Sequence, residues 1–190
     1  LKQNTNGKKK KKGTTRYVVL VSLGTFFSAC FLAIASQYLL KNFSFVLLSL
    51  LLLLLIIFIG IIFDIIGVAV TVADEAPFHA RAARRTPGAQ QAITLVREAH
   101  KVANICNDVV GDICGTVSGS LGAAIIFIIF LEGDPKKIIF SVLMTGLVSA
   151  ITVGGKALGK TFAINKANEI VWQVAQILAW RELLNIKKSK

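Results

Sequence analysis

The chain has 190 residues, 54% of them apolar and only 17% charged, yet it carries a formal charge of +12. Soluble domains carry about 25% charged residues, and a nucleic-acid binder needs its basic residues on a solvated polar surface that this composition does not supply. A soluble single domain is excluded, no nucleic-acid partner is expected, and the basic residues must gather at the edges of something apolar.

Residues 1–16 contain Lys2, Lys8 to Lys12 and Arg16, a run of like charge that repels itself and reads as a disordered cytoplasmic arm. Residues 17–40 follow without a formal charge. This run is too long for the apolar region of a secretory signal and lacks a small-residue cleavage site, so it is expected to remain as a membrane span. Residues 43–73, dominated by Leu, Ile and Phe as far as Phe63, form a second span. The third and fourth, residues 106–131 and 138–158, have suitable lengths but more Gly, Ser and Thr, which suits helices packed against protein rather than lipid. A bilayer core is crossed by about 20 apolar residues in a helix. The expected fold is therefore all-α, with four transmembrane helices in a cell (inner or plasma) membrane.

Between spans two and three, residues 76–105 are too patterned for a loop. Ile93, Val96, Ala99 and Val102 recur at helical spacing, and Pro87-Gly88 divides the segment. This predicts two short amphipathic helices on the cytoplasmic face, with Arg81, Arg84 and Arg85 reaching the anionic headgroups of the bilayer. Residues 161–190 read as a C-terminal amphipathic cytoplasmic helix. Trp172 and Trp180 suit an interfacial belt as well as they suit core packing. Basic residues concentrate in the arm, in the connection after span two and after span four, so the positive-inside rule puts both termini in the cytoplasm.

Cys30, Cys106 and Cys114 fall in or beside spans with no CxxC pair, the pattern of small packing residues rather than of a disulfide framework or thiolate metal site. No Ser-His-Asp arrangement, HExxH or P-loop is present, and His79 and His100 lie in the interfacial segment. An enzyme is not expected, nor an organic cofactor.

Ionisable residues at membrane depth are costly and mark function by default. Asp64 falls in span two, and Asp108 and Asp112 near the start of span three. Asn104, Asn107, Asp108, Gly111, Asp112 and Gly115 recur at steps of three and four, as one helix face does, and the face continues through Ser118, Gly119 and Gly122. Span two offers Gly60, Asp64, Gly67, Thr71 and Asp74 in the same way. Span four offers Ser141, Thr145, Ser149 and Thr152, ending at Gly154-Gly155. Convergence of these faces would make an oxygen-rich site, suited to a hard cation such as Mg²⁺ rather than to zinc or copper. Hydrogen bonding between helices is the plainer role for the small-residue stripes. Two carboxylates on one face, Asp108 and Asp112, repel unless a cation or proton compensates.

These residues resemble the transmembrane domain of the CorB/CorC and cyclin-M (CNNM) magnesium transporters. Glu75-Ala76 is similar to that family's Glu-x-Ala signature, Asn107 with Asp112 to its cation-binding pair, and Gly155-Lys-Ala-Leu-Gly-Lys160 to its Gly-Glu-x-x-Pro-Lys motif. The resemblance implies a homodimer of three core spans with a belt of cytoplasmic-face helices, to which residues 17–40 add a span. Lys156 stands where the family has Glu, and Gly159 where it has Pro. With the sequence ending at Lys190, the paired cystathionine-β-synthase domains of many relatives are not expected, and regulation would come from ion occupancy, lipid or a separate subunit.

The expectation is a transporter of Mg²⁺, with Co²⁺ a second cargo, working by alternating access. Asn107 and Asp112 are its direct ligands, Asp108 and Asp64 supply charge along the path, and Thr71 with the carbonyls of Gly154 and Gly155 completes the shell. Lys156 and Glu75 gate the site or substitute for its charge. The alternative is a non-transporting membrane scaffold or accessory subunit that keeps the fold while Lys156 neutralises a degenerate ion site.

Overall fold

The computed structural model describes residues 5–42, 46–130 and 134–188. Residues 1–4 of the arm, residues 43–45 and 131 expected in spans two and three, and residues 189–190 of the C-terminal helix lie outside them. Helices follow in the order α1 (Thr5–Asn42), α2 (Val46–Val72), α3 (Ala76–Ala83), α4 (Ala89–Arg97), α5 (Ala99–Ala103), a π-helix (Asn104–Gly111), α6 (Asp112–Ile129), α7 (Lys136–Asn165) and α8 (Ala167–Lys188).

Four stretches are long and apolar enough to cross a membrane: Val18–Ala35 within α1, Val46–Val72, Ala99–Ile129 and Lys136–Asn165. This is the architecture of a multi-pass membrane protein. The Ile-rich sequence of α2 is no obstacle to a helix there, because hydrocarbon offers the backbone no other hydrogen-bond partner. The third stretch is one rod in which α5, the π-helix and α6 run end to end.

Three boundaries differ from the sequence reading. The basic segment from Thr5 is helical rather than a disordered arm, because α1 starts there. Lys is a good helix former, and extending an existing helix adds one hydrogen bond per residue fixed without the cost of nucleation. Helix α7 runs on past 158 to Asn165, so that the C-terminal helix starts at Ala167 and not at 161. At 1.5 Å per residue the 30 residues of α7 span about 45 Å, well beyond a hydrocarbon core of about 30 Å. Between spans two and three the two expected short helices are α3 and α4, but α4 ends at Arg97, and Ala99 and Val102 belong to the third stretch, which starts at Ala99 rather than at 106. The chain reverses between α3 and α4 through left-handed residues at Arg85 (φ 54°) and Gly88 (φ 91°).

Buried apolar residues form two clusters. One unites Leu53 and Ile57 of α2, Ile113, Val117, Leu121 and Ile125 of α6, and Val148 of α7. The other unites Ala69 and Val70 at the end of α2, Phe78 of α3, Ala92 and Ile93 of α4, Ala163 of α7, and Val171 and Ala175 of α8. Their cohesion has different origins. Lipid tails are as apolar as Leu, so the first cluster holds by close packing, as at Gly122, where an added Cβ would lie 3.1 Å from Val148 Cγ2. The second joins the ends of two spans, α2 and α7, to α3, α4 and α8, and wherever its members leave the hydrocarbon the hydrophobic effect applies at about 25 cal/mol per Å² buried. Between the two clusters, in the same order along α2 and α7, lie the polar and glycine positions 60–67 and 155–160.

Candidate ion site

The site is built where α2, the π-helix and α7 meet between the two apolar clusters. Asp64 of α2 is 3% exposed. Lys156 Nζ of α7 lies 3.7 Å from its Oδ1, and Lys160 Nζ, one turn on, 3.8 Å from its Oδ2. Charge-assisted N–H···O bonds are about 2.7–2.9 Å long, so both ammonium groups stand off the carboxylate. Asp64 Oδ2 is buried without a hydrogen-bond donor, and so is Asn107 Oδ1. A buried acceptor left unsatisfied costs about 1–3 kcal/mol, more when charged.

Two glycines make the approach possible. A Cβ at Gly67 would overlap the side chain of Asn107, and one at Gly111 would lie 3.2 Å from Lys156 Nζ and 3.9 Å from Asp64 Oδ1. The Asn107 amide thus rests on bare α2 backbone, and the Lys156 ammonium on bare backbone of the π-helix. Farther along the same contact, Gly155 and Gly159 of α7 seat Ile61 and Ile65 of α2.

Several expected members are elsewhere. Asp108 and Asp112 are exposed, so the Asp108–Asp112 stripe does not enter the site. The sequence pattern assumed an α-helix, whereas Asn104–Gly111 is a π-helix, whose i→i+5 bonding widens the turn and breaks a face counted in threes and fours. Of that stripe, Asn107 is brought against Gly67 of α2, and Gly111 against Asp64 and Lys156. Thr71 is exposed and its hydroxyl donates to the Val68 carbonyl at 2.7 Å. Gly154 has open space around its Cα and Gly155 packs on Ile61, both inside the unbroken α7, where the helix ladder engages their carbonyls. The hydroxyl face of span four does not converge either: Thr145 and Thr152 donate to Ser141 and Val148 of their own helix at 2.9 and 2.7 Å. Among the described residues no three His, Cys, Asp or Glu side chains cluster as metal ligands do.

Glu75 is engaged by His79 of α3 and Arg97 of α4 in this arrangement. It stands between α2 and α3 and accepts hydrogen bonds from Arg97 Nε at 2.5 Å and His79 Nε2 at 2.8 Å. The Arg97 contact, and after it His79, holds its carboxyl below the usual carboxylate range. The neighbouring Asp74 N–H donates to Asn168 Oδ1 at 2.9 Å, tying the same junction to α8. Arg81, Arg84 and Arg85 are exposed and Trp172 is half-buried, while Trp180 is 67% exposed. An interface role fits Trp180, whereas Trp172 combines both readings.

Sequence reasoning missed Lys160 as a second ammonium at Asp64, although its i, i+4 spacing from Lys156 placed both on one helix face. It also missed Gly67 and Gly111 as seats for side chains, which only the helix pairing reveals. Comparison with family models, curated proteins and solved structures gives no match for this chain.

Proposed function

We propose that this protein is a membrane transporter of divalent cations, Mg²⁺ foremost, of the CorB/CorC type, and that Asp64, Asn107 and the backbone about Gly111 hold the ion. The observation that carries the reading is the pair of buried oxygens, Asp64 Oδ2 and Asn107 Oδ1, that no donor satisfies. A carboxylate and an amide oxygen are the ligands a hard cation takes. Lys156, 20% exposed and 3.7 Å from Asp64, is then a tethered cation that the ion displaces. Asp108, exposed on the π-helix, then adds negative charge on the outer side of that helix.

A homodimer in the cell membrane with both termini cytoplasmic goes with this reading. The exposed side of α6 carries Asp112 and Thr116, and Gly115 and Gly119 have nothing within 4 Å. A carboxylate in a span normally faces protein or water rather than lipid, and a second copy would supply that cover.

The second reading is the non-transporting scaffold or accessory subunit. It is favoured by the two lysines at Asp64, which leave the site with a net positive charge. Mg²⁺ flux into proteoliposomes separates the two. Transport should be present in the parent and fall at least tenfold in Asp64→Asn and Asn107→Ala. Absence of flux in the folded parent, or flux untouched by both substitutions, overturns the transporter.

A further inference from the structure

A cleft of about 220 Å³ opens between α3 and α8, away from the Asp64 site, with Phe78, Arg81, Asn168, Trp172 and Gln173 among its walls. Its aromatic wall is fixed. Phe78 is buried and stacks on Trp172 with ring centroids 6.5 Å apart and planes 12° from parallel. The Arg81 guanidinium lies 4.1 Å from the centroid of the Trp172 ring, a cation–π contact that orients the group without neutralising it.

The polar groups of the cleft are mostly donors. Among the described residues Arg81 has no ion pair, and neither have Arg84 and Arg85 just beyond it. The Asn168 amide oxygen is engaged by the Asp74 N–H, which leaves its NH₂ for a ligand, and Gln173 adds a second amide. The one acid in the lining, Glu169, is paired with Lys166 Nζ at 2.9 Å. A guanidinium and amide N–H groups against an aromatic wall form a receptor for a phosphate. Helices α3 and α8, which form the cleft, pack with the ends of the long apolar helices α2 and α7, and the end of a span is where headgroups lie. Exposed Arg84 and Arg85 extend the positive charge along the same surface, as basic residues that meet an anionic leaflet do.

We propose that this cleft binds the phosphate of an anionic phospholipid headgroup, with Arg81 as the charged contact and Trp172 as its platform. The inference stands apart from the ion site and survives its failure. A free phosphate ion offers the same chemistry, so the test separates the two sources.

The sequence has two tryptophans, and Trp180→Phe leaves Trp172 as the reporter in the otherwise full chain. In detergent, short-chain phosphatidylglycerol should shift Trp172 emission saturably, at least fivefold more tightly than phosphatidylcholine. Inorganic phosphate at equal concentration should not displace it. Adding Arg81→Gln should weaken phosphatidylglycerol about tenfold, the loss of one charge-assisted contact, and leave phosphatidylcholine unchanged. Equal response to the two lipids, or an Arg81→Gln chain that binds like its parent, overturns the proposal. Displacement by inorganic phosphate also overturns it, in favour of a soluble anion. If Arg81→Gln fails to fold, the lipid preference of the Trp180→Phe chain decides alone.

Discussion

Replacing Lys156 by Gln removes a positive charge from the ion site and keeps a polar side chain of similar reach. At an effective dielectric of about 20, unit charges separated by the observed 3.7 Å interact by about 4.5 kcal/mol. That is the ceiling on what the tethered ammonium withholds from a free ion. Lys160 remains 3.8 Å from the carboxylate but is 53% exposed, so water weakens its hold. Water also enters the space that Lys156 leaves. Halving the ceiling for these two effects gives about 2 kcal/mol, or about 30-fold in affinity. The same change should destabilise the ion-free chain by about 1–2 kcal/mol, less than the loss of a lone buried partner because Lys160 stays. The variant should thus melt lower without Mg²⁺, bind Mg²⁺ about 30-fold more tightly, and gain more from it on heating. Calorimetric titration of Mg²⁺ into the purified chain in detergent, with melting curves with and without the ion, reads all three. Affinity within twofold of the parent in a variant with unchanged helical content would refute competition between Lys156 and the ion.

Three further outcomes follow from the geometry. Gly67→Ala drives a methyl into the Asn107 side chain and should lower stability by about 1–3 kcal/mol, as overpacking does, with a matching drop in melting temperature and loss of Mg²⁺ response. Gly119→Leu, at a position with open space around it, should leave the fold intact but shift the particle toward half its mass in light scattering, because it blocks approach of a second copy. Because its bonds to Arg97 and His79 lower the Glu75 carboxyl pKa in the folded chain from an unfolded value of 4.5, the latch contributes fully above that pH. It is lost as pH falls through the folded value. Glu75→Gln should therefore flatten the acid limb of melting temperature against pH and narrow its gap to the parent as pH falls below 4.5. An acid limb identical to the parent's would rule out Glu75 as the titrating group.

The spans were legible because a membrane demands length and apolarity, and both are counted directly along a chain. Asp64 was equally legible, since a carboxylate amid Ile and Phe has to be buried or served. The third span shows where that legibility stops. Its bulk was found, but assigning its polar face needed the helix pitch, and nothing in Asn104–Gly111 announces i→i+5 bonding. One altered turn separated Asn107, which reaches the site, from Asp108 and Asp112, which do not. Lys156 was flagged only by its departure from a family pattern, and its distance from Asp64 depends on how α2 and α7 pair. For the segment from Thr5 the sequence reading weighed charge repulsion, whereas α1 begins there and is continuous with the first span.

Helix α7 joins α8 through the single residue Lys166, and α7 carries Val148 in one apolar cluster and Ala163 in the other. Helix α7 therefore ties the two clusters together, with both lysines on the stretch between them. From Val148 to Ala163 is about 22 Å along the axis at 1.5 Å per residue. A tilt of about 5° about Val148 would carry Ala163, and with it α8, sideways by about 2 Å, a displacement of the size seen for sliding packed helices. Any rearrangement of Lys156 and Lys160 that tilts α7 is thereby magnified at the far end. A tilt of that size would shift α8 against Ala92 and Ile93 of α4 in the second cluster.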